Sequence, residues 1–313
     1  MRVLLVAKPW RGGLARYVRR ALEEMYPNSV HWCPSQPETA GERLRYRRDR
    51  SAWRRRLVER INATPYDLGL FIGAIPEFEH LEPRNGNVLW LYDDPTRWLE
   101  LSPAFRALYI SDPGYRGLVQ ASEAGRRFAG VLPFAHAPEV HAPTRCTGPR
   151  RGVCFIGNRD LGRDAALGRL AESGLPLHVY GNYFVRHGLF WRHPLRFRPR
   201  VPIAGMARIY ARHQVSLNIH ARVVRGGTNM RTFECAGYGI PQVVEHREGL
   251  DELFEPEREI LVYRDLDEMV AQIERILGDP VLAVRLAERA RQRAATEHTY
   301  GHRVRAICAQ LGL

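Results

Sequence analysis

The residues with the most chemistry to offer lie in one stretch, VSLNIHARVVRGGTNMRTFECAGYGIPQVV, residues 215–244. An apolar strand ends near His220. A loop with Arg222, Arg225, Gly226 and Gly227 follows, and the pattern predicts a helix starting at Thr228, whose hydroxyl can cap it. A helix N-terminus offers free backbone N–H groups and about half a positive charge. Two glycines before it let an anion approach the backbone closely, and nearby arginines can fork onto phosphate oxygens. Glu234, about two turns in, can accept hydrogen bonds from paired hydroxyls such as those of a ribose. The segment therefore suits a nucleotide diphosphate. An ordinary strand–helix–strand crossover with a glycine turn fits the same residues.

A second set of candidates lies in the first half. Gly12 and Gly13 follow the first apolar run, where a glycine turn can face a ligand or simply begin a helix. Asp93 and Asp94 follow the run 87–92, at a predicted strand end. One of them can act as general base on a hydroxyl if each raises the other's pKa. Alternatively one caps the next helix, with Pro95 at its first position. Asp-Asp is not the D-x-D of metal-dependent transferases, so the sequence points to no metal and no required cofactor. His136 lies near a predicted hinge and is a third catalytic candidate, although a lone histidine is more often structural. His220, beside the glycine loop, is the better placed of the two for a donor contact.

The elements that must hold these residues alternate. Residues 3–7 (VLLVA) predict a strand buried on both faces, followed by a glycine turn and an amphipathic helix over 14–25. Short apolar runs recur at 67–72, 87–92, 107–110 and 129–132. Residues 133–151 hold several prolines and little periodicity, which predicts a linker. The alternation restarts at 153–157 and runs through strands at 215–220, 240–244 and 260–263 to an almost wholly helical end. The expected fold is α/β: two parallel sheets with helices on both faces, and a cleft at the C-terminal ends of the strands.

The 313 residues suit two domains, and 45% hydrophobic residues suffice for two cores. No apolar run approaches the ~18–20 residues of a membrane span. Five scattered cysteines with no CxxC pair argue against a disulfide framework or zinc site and fit a cytoplasmic protein. The net charge of +13 favours phosphates, anionic lipid or nucleic acid as partners. Two segments concentrate arginine. Residues 43–60 fit one helix with Trp53, Leu57 and Ile61 as its apolar stripe. Residues 183–200 interleave arginine with Phe184, Phe190, Trp191 and Phe197, which can form a stacking platform or fill a core. Either segment can touch an anionic membrane peripherally, or nucleic acid.

The run NMRTFECAGYGIPQVVEHREGLDELFE, then EILVYRDLDEMVAQIERIL and ATEHTYGHRV, resembles the C-terminal domain of CgeB-like, spore maturation type glycosyltransferases of the GT-B superfamily, glycosyl transferases group 1. VCFIGNRDLGRDAALGRLAESGLPLHVYGN resembles that domain's opening. WLYDDPTR, SDPGY and LPFAHAP carry a weaker likeness in the first half. The resemblance implies GT-B architecture: two Rossmann-like domains facing across a cleft, 1–143 on the acceptor side and 144–313 binding the nucleotide sugar, with the last helix packing back on the first domain. It implies sugar transfer from a nucleotide-diphosphate sugar, UDP-sugar foremost, without an obligatory metal. Glu234 would bind the ribose. Arg231 and the turn Gly226, Gly227, Thr228, Asn229 would lie near the diphosphate, with Arg225 beside them. Gly157, Asn158, Arg159, Tyr180, Gly181 and Asn182 would line the base and sugar pocket. Many retaining relatives carry a glutamate eight positions before the ribose-binding one, and Gly226 stands there instead, so that motif does not predict retention. The acceptor is left open among a glycan, a lipid-linked glycan, a protein and modified DNA. So is the alternative of a non-catalytic nucleotide- or nucleic-acid-binding protein on the same fold.

Overall fold

The computed structural model describes every residue except 11–12, 147 and 184–187. Gly12 and Phe184 therefore lie outside the described residues. The chain divides into two compact units, one formed by Met1–Phe134 with Tyr300–Leu313 and the other by Ala135–Thr299.

The first unit begins with β1 (Val3–Ala7), α1 (Leu14–Met25), β2 (Val30–Pro34), α2 (Ala40–Arg48) and α3 (Arg50–Ala63). It continues with β3 (Leu68–Ile72), β4 (Asn87–Leu91), β5 (Ala107–Ile110), α4 (Arg116–Ala121) and β6 (Phe128–Val131). All strands run parallel in the order β2-β1-β3-β4-β5-β6. β1, β3, β4 and β5 are buried along their whole length because helices cover both faces, which is why they appear as continuous apolar runs. α1 buries Leu14, Tyr17, Val18, Ala21 and Leu22, the i, i+3, i+4, i+7, i+8 stripe of a helix packed on a sheet. The single helix expected over 43–60 is two. Asp49 takes an extended backbone and caps α3 by accepting from Ala52 N at 2.8 Å, so the chain turns there. α3 buries Leu57 and Ile61, while α2 buries nothing.

The second unit holds β7 (Val153–Ile156), α5 (Leu161–Glu172), β8 (Leu177–Tyr180), α6 (Gly188–Arg192), β9 (Phe197–Arg198) and α7 (Ile203–Ala211). It goes on through β10 (Val215–Asn218), α8 (Met230–Tyr238), β11 (Gln242–Glu245), β12 (Leu261–Tyr263), α9 (Leu266–Gly278) and α10 (Pro280–Glu297). Its sheet is also parallel, ordered β12-β11-β10-β7-β8-β9. Successive strands move outward from β7 to β9, and the chain then returns to place β10 on β7's other side. This reversal makes a topological switch point between β7 and β10, the place beyond whose C-terminal ends ligands bind in such sheets. In the arginine–aromatic segment, Phe197 is buried and Phe190 packs on the core, so these two fill the unit's own core; Trp191 is exposed.

The proline-rich stretch expected as a linker forms no helix or strand among its described residues after 133; residues 142–146 and 148–151 are exposed, but its first part is packed in. Ala135, His136, Ala137 and His141 are buried. His136 N donates to His298 carbonyl at 2.9 Å. The final helix, α11 (Tyr300–Leu311), belongs to the first unit, where its Tyr300 ring stacks on Tyr17 of α1.

Candidate nucleotide-binding site

The turns after β7 and β8 are locked together by two glycines. Gly157 N donates to Tyr180 carbonyl at 3.0 Å. A Cβ on Gly181 would stand 2.0 Å from Gly157 carbonyl oxygen, so only glycine permits this approach. The turns leave Asn158, Arg159 and Asn182 exposed at the strand ends. Arg163, at the start of α5, ties them to the neighbouring strand. Its Nε donates to Ile219 carbonyl at 3.0 Å and its guanidinium donates to Asn158 carbonyl at 2.7 Å. Burial pulls the Arg163 pKa down from its usual value. Sequence reasoning passed over Arg163. Its signal was the position of a basic residue three places after the Asp160 that caps α5 at a strand–helix turn.

The helix after β10 starts at Met230, and its cap is Asn229, not Thr228. Asn229 Oδ1 accepts from Arg231 N at 3.0 Å. Thr228 is buried and its hydroxyl bonds instead to that of Thr232 one turn on. Asn229 and Asn218 pair their amides reciprocally, and Asn229 Nδ2 also donates to His220 Nδ1 at 3.0 Å. His220 Nε2 then donates to Glu245 carbonyl at 3.0 Å. Both ring nitrogens of His220 are thus engaged within the protein, where the ring positions the loop. Burial, with Arg247 nearby, holds its pKa down at about 3, so the ring is neutral. Gly227 takes φ of +60° and its N–H donates to Glu248 carbonyl, so this glycine is needed for the turn and its N–H is already used. Gly226 is buried beside it and Arg225 is exposed.

Arg231 and Glu234 form an ion pair on α8, and the Glu234 side chain is only 4% exposed. His141 lies on its other side, with Nε2 3.6 Å from Glu234 Oε1. Ala137 N donates to His141 Nδ1 at 3.0 Å, which fixes the ring proton on Nε2, facing Glu234. Burial, then His136 and Arg231, push the His141 pKa down to about 3. Burial raises the Glu234 pKa despite Arg231. Burial opposes the charge on Arg231, but Glu234 reverses that and raises its pKa. His136, proposed as catalytic, is buried against α8: a Cβ on Gly237 would stand 2.7 Å from its Nδ1. Its place is therefore in the packing of the 135–141 segment.

In the first unit, Lys8, Ser35, Gln36, Gly73, Tyr92, Asp93, Asp94 and Trp98 are among the residues around a cavity of about 200 Å³ at the C-terminal ends of β1 to β4. The two aspartates differ. Asp94 Oδ1 accepts from Thr96 N at 2.9 Å and Thr96 Oγ1 at 2.7 Å, which is a turn-capping role. Asp93 has its pKa raised by burial, opposed by the Lys8 ammonium. Gly13 precedes α1 in this unit, where a Cβ would stand 2.9 Å from Trp10 Cε3.

Residues 163–309 match a family model described as glycosyl transferase-like, a little under half of the chain. A search of curated proteins finds no significant match. Among solved structures, Anabaena HepE in complex with UDP and glucose superposes with a TM-score of 0.72 at 12% identity, covering 100% of this chain and 99% of that one. Sucrose-phosphate synthase from Thermosynechococcus elongatus gives 0.65 at 13% identity, with 100% and 99% coverage. The lipopolysaccharide outer core galactosyltransferase WaaB gives 0.63 at 12% identity, with 99% and 100% coverage. The fold is GT-B, as these superpositions over whole chains require. The matched C-terminal segment is similar to the glycosyl transferase-like family over that stretch.

Proposed function

We propose that this chain moves a sugar from a nucleotide-diphosphate sugar, a UDP-sugar, to an acceptor hydroxyl, and that it is of the CgeB-like, spore maturation subtype. The observation that carries the donor reading is the switch point in strand order at the ends of β7 and β10. There the Gly157–Gly181 contact, Arg163 and the start of α8 come together. Gly157, Asn158, Arg159, Tyr180, Gly181 and Asn182 line the base and sugar side. Arg225, Asn229 and Arg231 serve the diphosphate, with Arg163 added to them. Glu234 holds the ribose, and its longer contact, to His141, is the one a ribose hydroxyl would replace. Positive charge fixed in place before reaction stabilises the departing nucleoside diphosphate. Asp93 is the general base: its raised pKa keeps it a better proton acceptor than an ordinary carboxylate. HepE, named above with UDP and glucose bound, supports the choice of uridine.

Thermal stability in the presence of nucleotides tests this. At a hundredfold excess over Kd a ligand adds about 2.7 kcal/mol. UDP and one UDP-sugar should raise the Tm. A chain unmoved by every nucleoside diphosphate and nucleotide sugar would not be a donor-binding enzyme.

A further inference from the structure

A second cavity, of about 260 Å³, lies in the first unit beside the one that holds Asp93. Pro9, Trp10, Ala15, Arg16, Arg19, Trp32 and Glu38 surround it. The two cavities are built on the same two connections. Lys8 and Ser35–Gln36 line the inner one, and Pro9–Trp10 and Glu38, a few residues on, line the outer one.

The outer cavity is equipped in an unusual way for a solvent-facing surface. Trp10 is 50% exposed. Its indole is held against the backbone of Gly13, where any Cβ would collide with it. Trp32, on the edge strand β2, is partly buried and is fixed from two sides. Its Nε1 donates to Glu38 Oε2 at 3.1 Å, and the Arg19 guanidinium lies 5.6 Å from its ring centroid. Arg19 pairs with Glu23 through Nε at 2.7 Å. Two pre-positioned indoles beside a carboxylate and guanidinium groups form a surface for a pyranose. Ring faces supply the apolar contact with sugar C–H groups, and the charged groups take hydroxyls.

We infer that the acceptor is an extended saccharide of at least two sugar residues. Its reacting hydroxyl enters the Asp93 cavity and its next residue stacks on Trp10 and Trp32. This rests on the transferase reading above and deepens it by naming the acceptor class. Charge argues against the other acceptors. Asp93, Asp94 and Glu38 around the two cavities are matched by Lys8, Arg16 and Arg19, so the lining has no excess positive charge to hold a phosphate backbone and suits the neutral hydroxyls of a sugar.

The test uses the full chain with UDP present on an array of immobilised glycans, with anionic phosphatidylglycerol vesicles and a duplex DNA as rival probes. The wild-type chain should retain one or more glycans of two or more residues. Trp10→Ala should weaken that binding by about tenfold, and Trp10→Phe should restore most of it. Trp10 is exposed, so the alanine variant should fold, and its circular dichroism checks that. Retention of no glycan, equal retention by Trp10→Ala, or binding to vesicles or DNA that is lost in Trp10→Ala would each overturn the proposal. Stabilisation of the wild-type chain by UDP is read separately, so failure of the donor reading and failure of the acceptor reading are told apart.

Discussion

Glu234 is closed in by Arg231 and His141, and this changes what its removal should do. Taken from the sequence alone, a ribose-binding glutamate could be cut to alanine with the fold intact. In the structure, Glu234→Ala leaves the Arg231 guanidinium, its side chain 22% exposed, without its counter-charge. Breaking a fully buried pair costs about 3–5 kcal/mol, and less where water reaches one partner. We therefore expect Glu234→Ala to lose both UDP stabilisation and several degrees of Tm, and Glu234→Gln, which keeps the shape, to lose less of the second. Urea midpoints at fixed pH check this, and equal midpoints for wild type and alanine would remove the ion pair from the stability account. The two buried histidines add a pH dependence. His141 and His220 hold pKa values of about 3 when folded, against about 6.5 unfolded. Between those values the unfolded chain takes up protons that the folded chain refuses. Stability is therefore complete above pH ~6.5 and falls as the pH drops, by about 1.4 kcal/mol per unit per ring. The raised carboxyl of Glu234 acts with the opposite sign. Its protonated form is favoured by the fold, so its contribution declines as pH rises through its own titration. The histidines bear on the range from pH 6.5 to 5, where urea midpoints should fall for the wild type and fall less for His220→Asn. Parallel slopes would show that His220 titrates freely. The aspartates separate in the same way. Asp93→Asn should abolish turnover without much change in stability, whereas Asp94→Ala removes the cap on Thr96 and should cost up to about 2 kcal/mol with turnover largely kept. Initial rates and melting curves on the two variants distinguish them.

At the scale of elements, periodicity made the strands legible. β1, β3, β4 and β5 are buried on both faces, so their residues are apolar without a break, and the composition of each run gives its state. α1 was equally plain because its buried residues recur as one stripe, packed on the sheet and on α11. Two features were hidden for physical reasons. The division of 43–60 into α2 and α3 depends on one residue, Asp49, whose side chain competes for a helical N–H, and the arginine run around it carries no apolar signal to interrupt. The start of α8 was misjudged by a residue because Thr228 and Asn229 are both good caps, and a tertiary partner decides: Asn218, on β10, takes the Asn229 amide. The candidate site was legible where backbone chemistry demanded a residue type, as at Gly181 and Gly227. It was not legible where the partner is distant in sequence, as for His141 beside Glu234. The Gly181 turn gives a prediction at this scale. With a Cβ 2.0 Å from Gly157 carbonyl oxygen, Gly181→Ala must push the turns after β7 and β8 apart. We expect a cost of about 1–3 kcal/mol and weaker UDP binding, since the displaced turn carries Asn158 and the Arg163 contact. Calorimetry with UDP checks it, and unchanged affinity in a folded variant would take this turn out of the nucleotide site.

At the scale of the whole molecule, the first unit is completed by the last residues of the chain. α11 buries Tyr300, Val304, Ile307, Cys308 and Leu311 against that unit. Arg303 is buried with them; burial lowers its pKa to about 10, and it donates to the carbonyls of Pro133 at 2.9 Å and Phe134 at 3.0 Å. Tyr109 donates to Gln310 and Gln310 donates to Ala129 carbonyl, so the helix also satisfies groups on β5 and β6. Each buried Val, Ile or Leu contributes about 1.5–3 kcal/mol, and a domain holds a net stability of only about 5–15 kcal/mol. Losing α11 therefore removes an amount comparable with the whole margin of the first unit. It also leaves the carbonyls of residues 133 and 134 without their donor, while the second unit keeps every strand of its own sheet. A chain ending at residue 299 should thus lose protected amides in β1 and β3 to β5 and keep those in β7, β10 and β11. Hydrogen exchange read by mass spectrometry resolves the two sets. Full protection of β1 and β3 in the shortened chain would mean that α11 is an accessory rather than part of the first unit's core. A synthetic peptide of residues 300–313 added back should restore protection only where the helix seats, which separates a missing partner from an irreversibly collapsed unit.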